Sequence, residues 1–147
     1  MIPLTLAQAS TIVDVALKTG RDNKFAPLSV AVLDAGGHLV AFKREDKSGI
    51  LRFDIAFGKA WGALGMGLGS RTLAGRAQKQ PAFFTALSAS SGGRLIPAPS
   101  GVLIRDQDGD VVGAVGISGD ISDNDEKCAI AGIQAAGLTA DPGKEPT

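Results

Sequence analysis

Two stretches of this chain fold back on themselves by the same rule, and they constrain its architecture more than any other feature. Leu28 to Leu33 reads Leu-Ser-Val-Ala-Val-Leu, Asp34-Ala35-Gly36-Gly37 supplies turn chemistry, and His38 to Phe42 continues in strand-like fashion. The grammar returns at Gly101 to Arg105, Asp106-Gln107-Asp108-Gly109-Asp110 and Val111 to Ile117. β-Branched apolar runs suit a pleated, half-buried surface, and glycine enters the positive-φ conformations that tight hairpin turns demand. Both stretches are expected to be β-hairpins. With helices before, between and after them, the expected fold class is α+β.

The helical signals are local and chemical. Thr5-Leu6-Ala7-Gln8 has the spacing of a capping box, in which the Thr hydroxyl and the Gln side chain satisfy backbone donors at a helix start. Leu6, Ala9, Val13, Ala16 and Leu17 then recur at helical spacing up to Gly20, so a one-sided helix is expected there. Phe53 to Ala77 reads as a long helix, broken near Gly67 to Arg71. Gly58, Gly62, Gly65 and Gly69 form one stripe along it, and each interior glycine costs roughly 1 kcal/mol relative to alanine, so a helix or sheet is expected directly against the stripe. Ser88 to Gly101 reads as a Ser/Gly/Pro-rich loop, and Asp123-Asn124-Asp125-Glu126 as a second capping box opening an alanine-rich helix that fades near Gly137. Residues 1–140 are expected to form a single domain and 141–147 a flexible C-terminal tail.

At 147 residues the chain is long enough for one hydrophobic core without staples. Fifteen Lys plus Arg balance fifteen Asp plus Glu, so no net field favours nucleic acid or an anionic membrane. The single Cys128 excludes an internal disulfide, and the N-terminus lacks the basic and apolar regions of a signal peptide, so the expected location is cytoplasmic. Twenty glycines against no tyrosine and one tryptophan point to close backbone packing more than to aromatic ligand cages. Low surface charge repulsion between copies makes a homo-oligomer the expected assembly.

Several residues could carry chemistry. Lys59 is the only charge between Asp54 and Arg71 in an otherwise apolar and small-residue helix. Such a lysine extends to water, pairs with a carboxylate, or meets an anionic ligand, and desolvation would also suit it to imine chemistry. Its candidate partners are Asp46, in the run Arg44-Glu45-Asp46, and Asp125 or Glu126 at the last helix start, where first-turn carboxylates also serve as caps. Ser91-Gly92-Gly93-Arg94 could offer backbone N–H groups and a guanidinium to an anion. His38, the only imidazole, follows the first turn and is a candidate ligand contact. Asp106-x-Asp108-x-Asp110 resembles the start of a calcium loop, but Gly109 falls at the fourth position where an EF-hand requires glycine at the sixth. No metal site is expected.

Read in order, Ser29 to Val40, Arg44-Glu45-Asp46 and Ile55-Ala56-Phe57-Gly58-Lys59-Ala60, then Gly109 to Gly119 and Asn124-Asp125-Glu126-Lys127-Cys128-Ala129, the chain resembles the GlcG/HbpS haem-binding family over about Leu4 to Leu138. It is also similar to the C-terminal domain of PduO-type corrinoid adenosyltransferases. The resemblance implies a profilin-like or roadblock-like five-stranded antiparallel sheet flanked by helices, assembled as a dimer or octamer. It also implies a small-molecule ligand, with haem the family's cofactor, and a setting among catabolic genes. Two positions differ: where the family commonly has Gly-Gly-x-Pro-Ile, this chain has Ser100-Gly101-Val102-Leu103-Ile104. Haem iron takes His, Met, Cys or Tyr, and the chain offers His38, Met1, Met66 and Cys128. No histidine falls in the first helix or near the Ser/Gly loop, so residue placement supplies no clear axial ligand.

Two functions follow as expectations. One is a small-molecule-binding protein for haem or another carboxylated molecule, with Lys59, Arg44 and Arg94 as anion contacts and Asp46, Ser91, Gly92, Gly93 and His38 lining the site. The other is a cofactor-independent lyase, isomerase or hydrolase acting on an oxygenated carboxylic acid, with Lys59 and Asp125 or Glu126 as catalytic groups. Both place the two hairpins, the last helix and the Ser/Gly loop around a single pocket.

Overall fold

The computed structural model describes residues 1–146. The elements are α1 (Leu6–Asp22), β1 (Ser29–Asp34), β2 (Leu39–Arg44), α2 (Leu51–Met66), α3 (Ser70–Lys79), α4 (Pro81–Ser90), β3 (Gly101–Arg105), β4 (Val111–Ser118), α5 (Ser122–Ala135) and β5 (Thr139–Asp141). Five strands form one sheet in the order β2-β1-β4-β3-β5, with every neighbouring pair antiparallel. The expected α+β sheet with flanking helices is therefore what the chain forms. No helix among the described residues is long and apolar enough to cross a membrane.

The two hairpins turn by one mechanism. Asp34 Oδ1 accepts from the N–H groups of Gly36 and His38, while Asp106 Oδ1 accepts from those of Asp108 and Asp110. Gly37 and Gly109 hold φ of 83° and 84°, and each donates its N–H to the carbonyl of the turn's aspartate. The aspartate thus fastens a turn that only glycine closes without strain. This use of its carboxylate accounts for Asp106, in the same position as Asp34; Asp108 and Asp110 hold carboxylate oxygens within 4.8 Å of it.

Period-two alternation sorts side chains to the sheet's two faces. Val30, Val32, Val102, Ile104, Val115 and Ile117 pack with Ala9, Ile12, Val13 and Ala16 of α1 and with Cys128, Ala129 and Ile133 of α5. The opposite face carries Leu33, Leu103 and Ala114 against Ala60 and Ala63 of α2. Gly101 and Gly116 lie on that second face, and a methyl group on them would stand 2.1 Å from the Lys59 carbonyl oxygen and 1.8 Å from that of Ala56. The backbone of α2 therefore rests directly on the strands. Close approach was expected from glycines on the helix; the glycines that admit it are on the sheet. Gly58 and Gly62 instead face the Arg94–Ile96 segment, Gly69 faces Pro142 and Gly143, and Gly65 faces open space but for Trp61.

The break expected in the long central helix falls at Gly67, whose φ of 69° closes α2 before α3 begins at Ser70. The Ser/Gly loop begins later than its composition suggests, because α4 continues to Ser90 on the proline at its first position. The sheet runs through Asp141, where a flexible tail was expected, and residues 142–146 lie along α3: Pro142 accepts from Arg71 N–H, and Lys144 N–H donates to Thr72 Oγ1. Thr147, the last residue of the expected tail, lies outside the described residues.

Substituting Gly116→Ala is expected to cost about 3 kcal/mol or more, because backbone must move to admit the methyl. Gly65→Ala, with nothing nearer than Trp61 at 3.9 Å, is expected to stabilise by up to about 1 kcal/mol. Urea unfolding midpoints of the two variants check both signs.

Candidate functional site

Because α2 lies so close to β3 and β4, Lys59 leaves the helix straight into the end of the sheet. Only 4% of the residue is exposed. Its Nζ donates to the Ile117 carbonyl and to Ser100 Oγ, both at 2.9 Å, and stands 3.8 Å from Asp125 Oδ2. Ser100 Oγ in turn donates to the Ile117 carbonyl at 2.7 Å. Asp125 is 1% exposed; its Oδ1 accepts from Asp120 N–H, but Oδ2 accepts no hydrogen bond from any described residue. An ionised oxygen buried without a hydrogen bond is costly, so this ion pair is only partly compensated.

Ser100 adds a second cost. It is fully buried with φ of 91°, a conformation that glycine adopts freely and a serine does not. This is the position where the chain replaces a glycine of the pattern it resembles. The serine hydroxyl occupies one side of the Lys59 ammonium.

Arg52 completes the cluster. It stands seven residues before Lys59, so the two share a helix face two turns apart. Its Nη1 donates to Ser118 Oγ at 3.1 Å, and no carboxylate among the described residues lies within ion-pair distance of it. Sequence reasoning missed Arg52 and Ser100; the seven-residue spacing was a signal for the first, and the glycine replacement for the second.

Burial sets the protonation of the pair. It pulls the Lys59 ammonium below the ordinary lysine range, with the Asp125 charge opposing and the Arg52 charge reinforcing the shift. It pushes the Asp125 carboxyl up to about 6, against the attraction of Lys59. Cys128, sealed in the core one turn further along α5, is likewise pushed up to about 12 by burial, so its thiol is protonated and unreactive.

The other expected site residues do not converge on Lys59. α5 begins at Ser122 with Ile121 as its cap residue and no side-chain cap, so Asp123-Asn124-Asp125-Glu126 is not a capping box; Asp125 instead reaches back to Asp120 N–H. Glu126 pairs with Arg71 at 2.9 Å, and the same guanidinium holds Asp123 and Glu145. Arg44 and Asp46 are exposed along a shallow cleft with Arg21, Pro27 and Glu45. The N–H groups of Gly92, Gly93 and Arg94 close the end of α4 on Ala89, Ser88 and Ser91 carbonyls, so they form no anion cradle. Ser91 Oγ donates to Ser88 and accepts from Leu95 N–H, and the Arg94 guanidinium lies 4.1 Å above the Trp61 ring. His38 is exposed at its turn with Nδ1 3.1 Å from Asp34 Oδ1. The single pocket expected from the sequence is thus dispersed, and only Lys59 and Asp125 meet.

The donor set does not fit ligated haem. Cys128 is sealed and protonated, His38 stands on a convex turn, and no cleft described here is lined by His, Met, Cys or Tyr. The apolar cleft between α4 and Leu95–Pro97, about 760 Å³, is roomy enough for a large planar ligand but offers no iron ligand.

Comparison with known proteins gives the fold its relatives. A family model described as "Haem degrading protein HbpS-like" matches residues 4–134. The crystal structure of a PduOC–haem complex superposes with a TM-score of 0.83 at 22% identity, covering 97% of this chain and all of the other, 100%. ORFY of Klebsiella pneumoniae gives 0.82 at 24% identity, covering 93% of each chain. HbpS gives 0.76 at 24% identity, covering 91% of this chain and 90% of its own. At these identities the likeness establishes the fold. No curated protein matches the chain in sequence.

Removing one partner of the buried pair separates charge from packing. Lys59→Met leaves the Asp125 charge alone in the interior and is expected to cost about 3–5 kcal/mol at pH 7.5, most of it recovered in Lys59→Met/Asp125→Asn. The pH dependence has a definite sign. A carboxyl raised by folding binds more protons folded than unfolded, so its contribution to stability falls as pH rises from the ordinary carboxylate range to about 6 and is level above. Comparing wild type with Asp125→Asn across that interval by urea unfolding is expected to isolate this slope.

Proposed function

The chain belongs to the HbpS-like family, matched over residues 4–134, and on that premise we propose that it is a small-molecule-binding protein whose ligand is held through a carboxylate. The observation that carries this reading is the cluster at the end of the sheet: Lys59 has Asp125 at 3.8 Å without a hydrogen bond to it, and Arg52 on the same helix face has no carboxylate within ion-pair distance among the described residues. The cluster is left short of negative charge, and an incoming carboxylate meets Arg52 first, at the half-buried rim beside Ser118. Costly features gathered at one point, an incompletely paired interior charge and a strained serine, are what a binding site retains at the expense of stability.

Haem enters this reading as a dicarboxylate. If it binds, its propionates and not its iron make the contacts, since the available iron ligands are badly placed. Iron-free protoporphyrin IX is therefore expected to bind as well as haemin, with no Soret shift that depends on His38 or Cys128. A panel of small hydroxy- and oxo-carboxylates, followed by calorimetry, is expected to yield a binder whose affinity falls about tenfold or more in Arg52→Ala. Haemin binding abolished by His38→Ala or Cys128→Ser would overturn the assignment.

A second reading rests on the Asp125 carboxyl at about 6, close to the range of a general base. In it the protein is a cofactor-independent lyase, isomerase or hydrolase, with Asp125 moving the proton and Lys59 facing the substrate oxygen. Glu126 has no part in it, being engaged by Arg71. Asp125→Asn distinguishes the readings, since it removes turnover while leaving carboxylate binding in place. Exposed Ile50, Leu51 and Ile121 near this end of the molecule support a homo-oligomer in solution, which light scattering tests.

A further inference from the structure

A second concave site lies away from Lys59, made by the segment that follows β5. From Asp141 the chain turns across α3 and is fastened to it: Arg71 N–H donates to the Pro142 carbonyl at 3.2 Å, and Lys144 N–H to Thr72 Oγ1 at 2.8 Å. Two glycines of α3 and its cap admit this contact. A methyl on Gly69 would stand 2.1 Å from the backbone of Pro142 and Gly143, and one on Gly75 would stand 2.6 Å from the Pro146 ring. Between this segment, the Gly67-Leu68-Gly69 turn and the tip of β3 lies a cleft of about 510 Å³, within the usual range for small-molecule sites.

The charge around it is one-sided. Arg76, Lys79, Arg105 and Lys144 line the cleft, against Asp141 and Glu145. Both carboxylates are engaged: Asp141 with Arg105 at 2.9 Å, and Glu145 with Arg71. Arg76, Lys79 and Lys144 have no ion-pair partner among the described residues, in a chain whose formal net charge is zero. Cations in the last turn of a helix are favoured by its dipole, which accounts for Arg76 and Lys79 as residue types. It does not account for Lys144, supplied by another segment, or for a cavity at their centre. Arg76 and Lys79, three apart, share the face that Thr72 begins, so all three address the same space.

We propose that this cleft is a binding site for a small organic anion carrying at least two negative charges, a phosphate ester or a polycarboxylate, held by Arg76, Lys79 and Lys144. Three cations from two chain segments supply the counter-charge of such a molecule. The site is separate from the Lys59 cluster, and its ligand is defined by charge number more than by shape.

Calorimetric titration of the full chain at low ionic strength, with pyrophosphate and citrate as probes and acetate as the monoanion control, tests this. One or both multiply charged probes are expected to bind once per chain. Affinity should fall about tenfold or more in Arg76→Ala/Lys79→Ala and weaken with added salt. Both exchanged side chains are exposed, so folding is not at stake. Pyrophosphate binding without citrate binding assigns the site to phosphate esters, and the converse to polycarboxylates. Failure of both probes to bind, equal binding by the double variant, or acetate binding as tightly as citrate would each overturn the proposal.

Discussion

The direct contact of the α2 backbone with β3 and β4 is the constraint on which the rest depends. It exists because the sheet presents glycine at residues 101 and 116 where other strands would present a side chain, and because α2 offers Ala56, Ala60 and Ala63 in return. A helix standing off by a normal side-chain layer would leave Lys59 free to reach water along its own stem. At this distance its ammonium is delivered to the Ile117 carbonyl and Ser100 hydroxyl at the sheet's end. The polarity of the interior at that point is thus a consequence of two missing methyl groups.

That arrangement is expensive in three ways: a lysine and an aspartate taken out of water, a carboxylate oxygen without a donor, and a serine in a glycine conformation. Buried ion pairs are often no better for stability than apolar residues of the same size. The pair is therefore poorly explained as a stabilising device. Its geometry leaves Arg52 at the half-buried rim with no carboxylate partner among the described residues, and burial holds the Asp125 carboxyl up at about 6.

A shared fold does not by itself carry a ligand with it. Relatives superpose over nearly the whole chain, one of them as a haem complex, but function resides in the side chains mounted on a fold. Here the histidine sits on an exposed turn and the cysteine in the core. The charged groups gather instead at two places, one interior and one along α3, and the carboxyl-terminal segment is what shapes the second.

Much of this was legible in the linear chain. The two hairpins, the Thr5 capping box confirmed by reciprocal hydrogen bonds with Gln8, the one-sided first helix and the break at Gly67 all rest on interactions between residues a few positions apart, so spacing and turn chemistry determine them. Lys59 could be singled out as a lone charge among small residues, and Asp125 named among its partners. The meeting of those two, the exclusion of Glu126, Arg44, Asp46, Arg94 and His38 from their company, the role of Arg52 and Ser100, and the docking of residues 142–146 were decided only by the tertiary structure. Each depends on which face of a helix meets which strand and how closely, and that is set by the absence of side chains at Gly101, Gly116, Gly69 and Gly75, whose neighbours are remote in sequence.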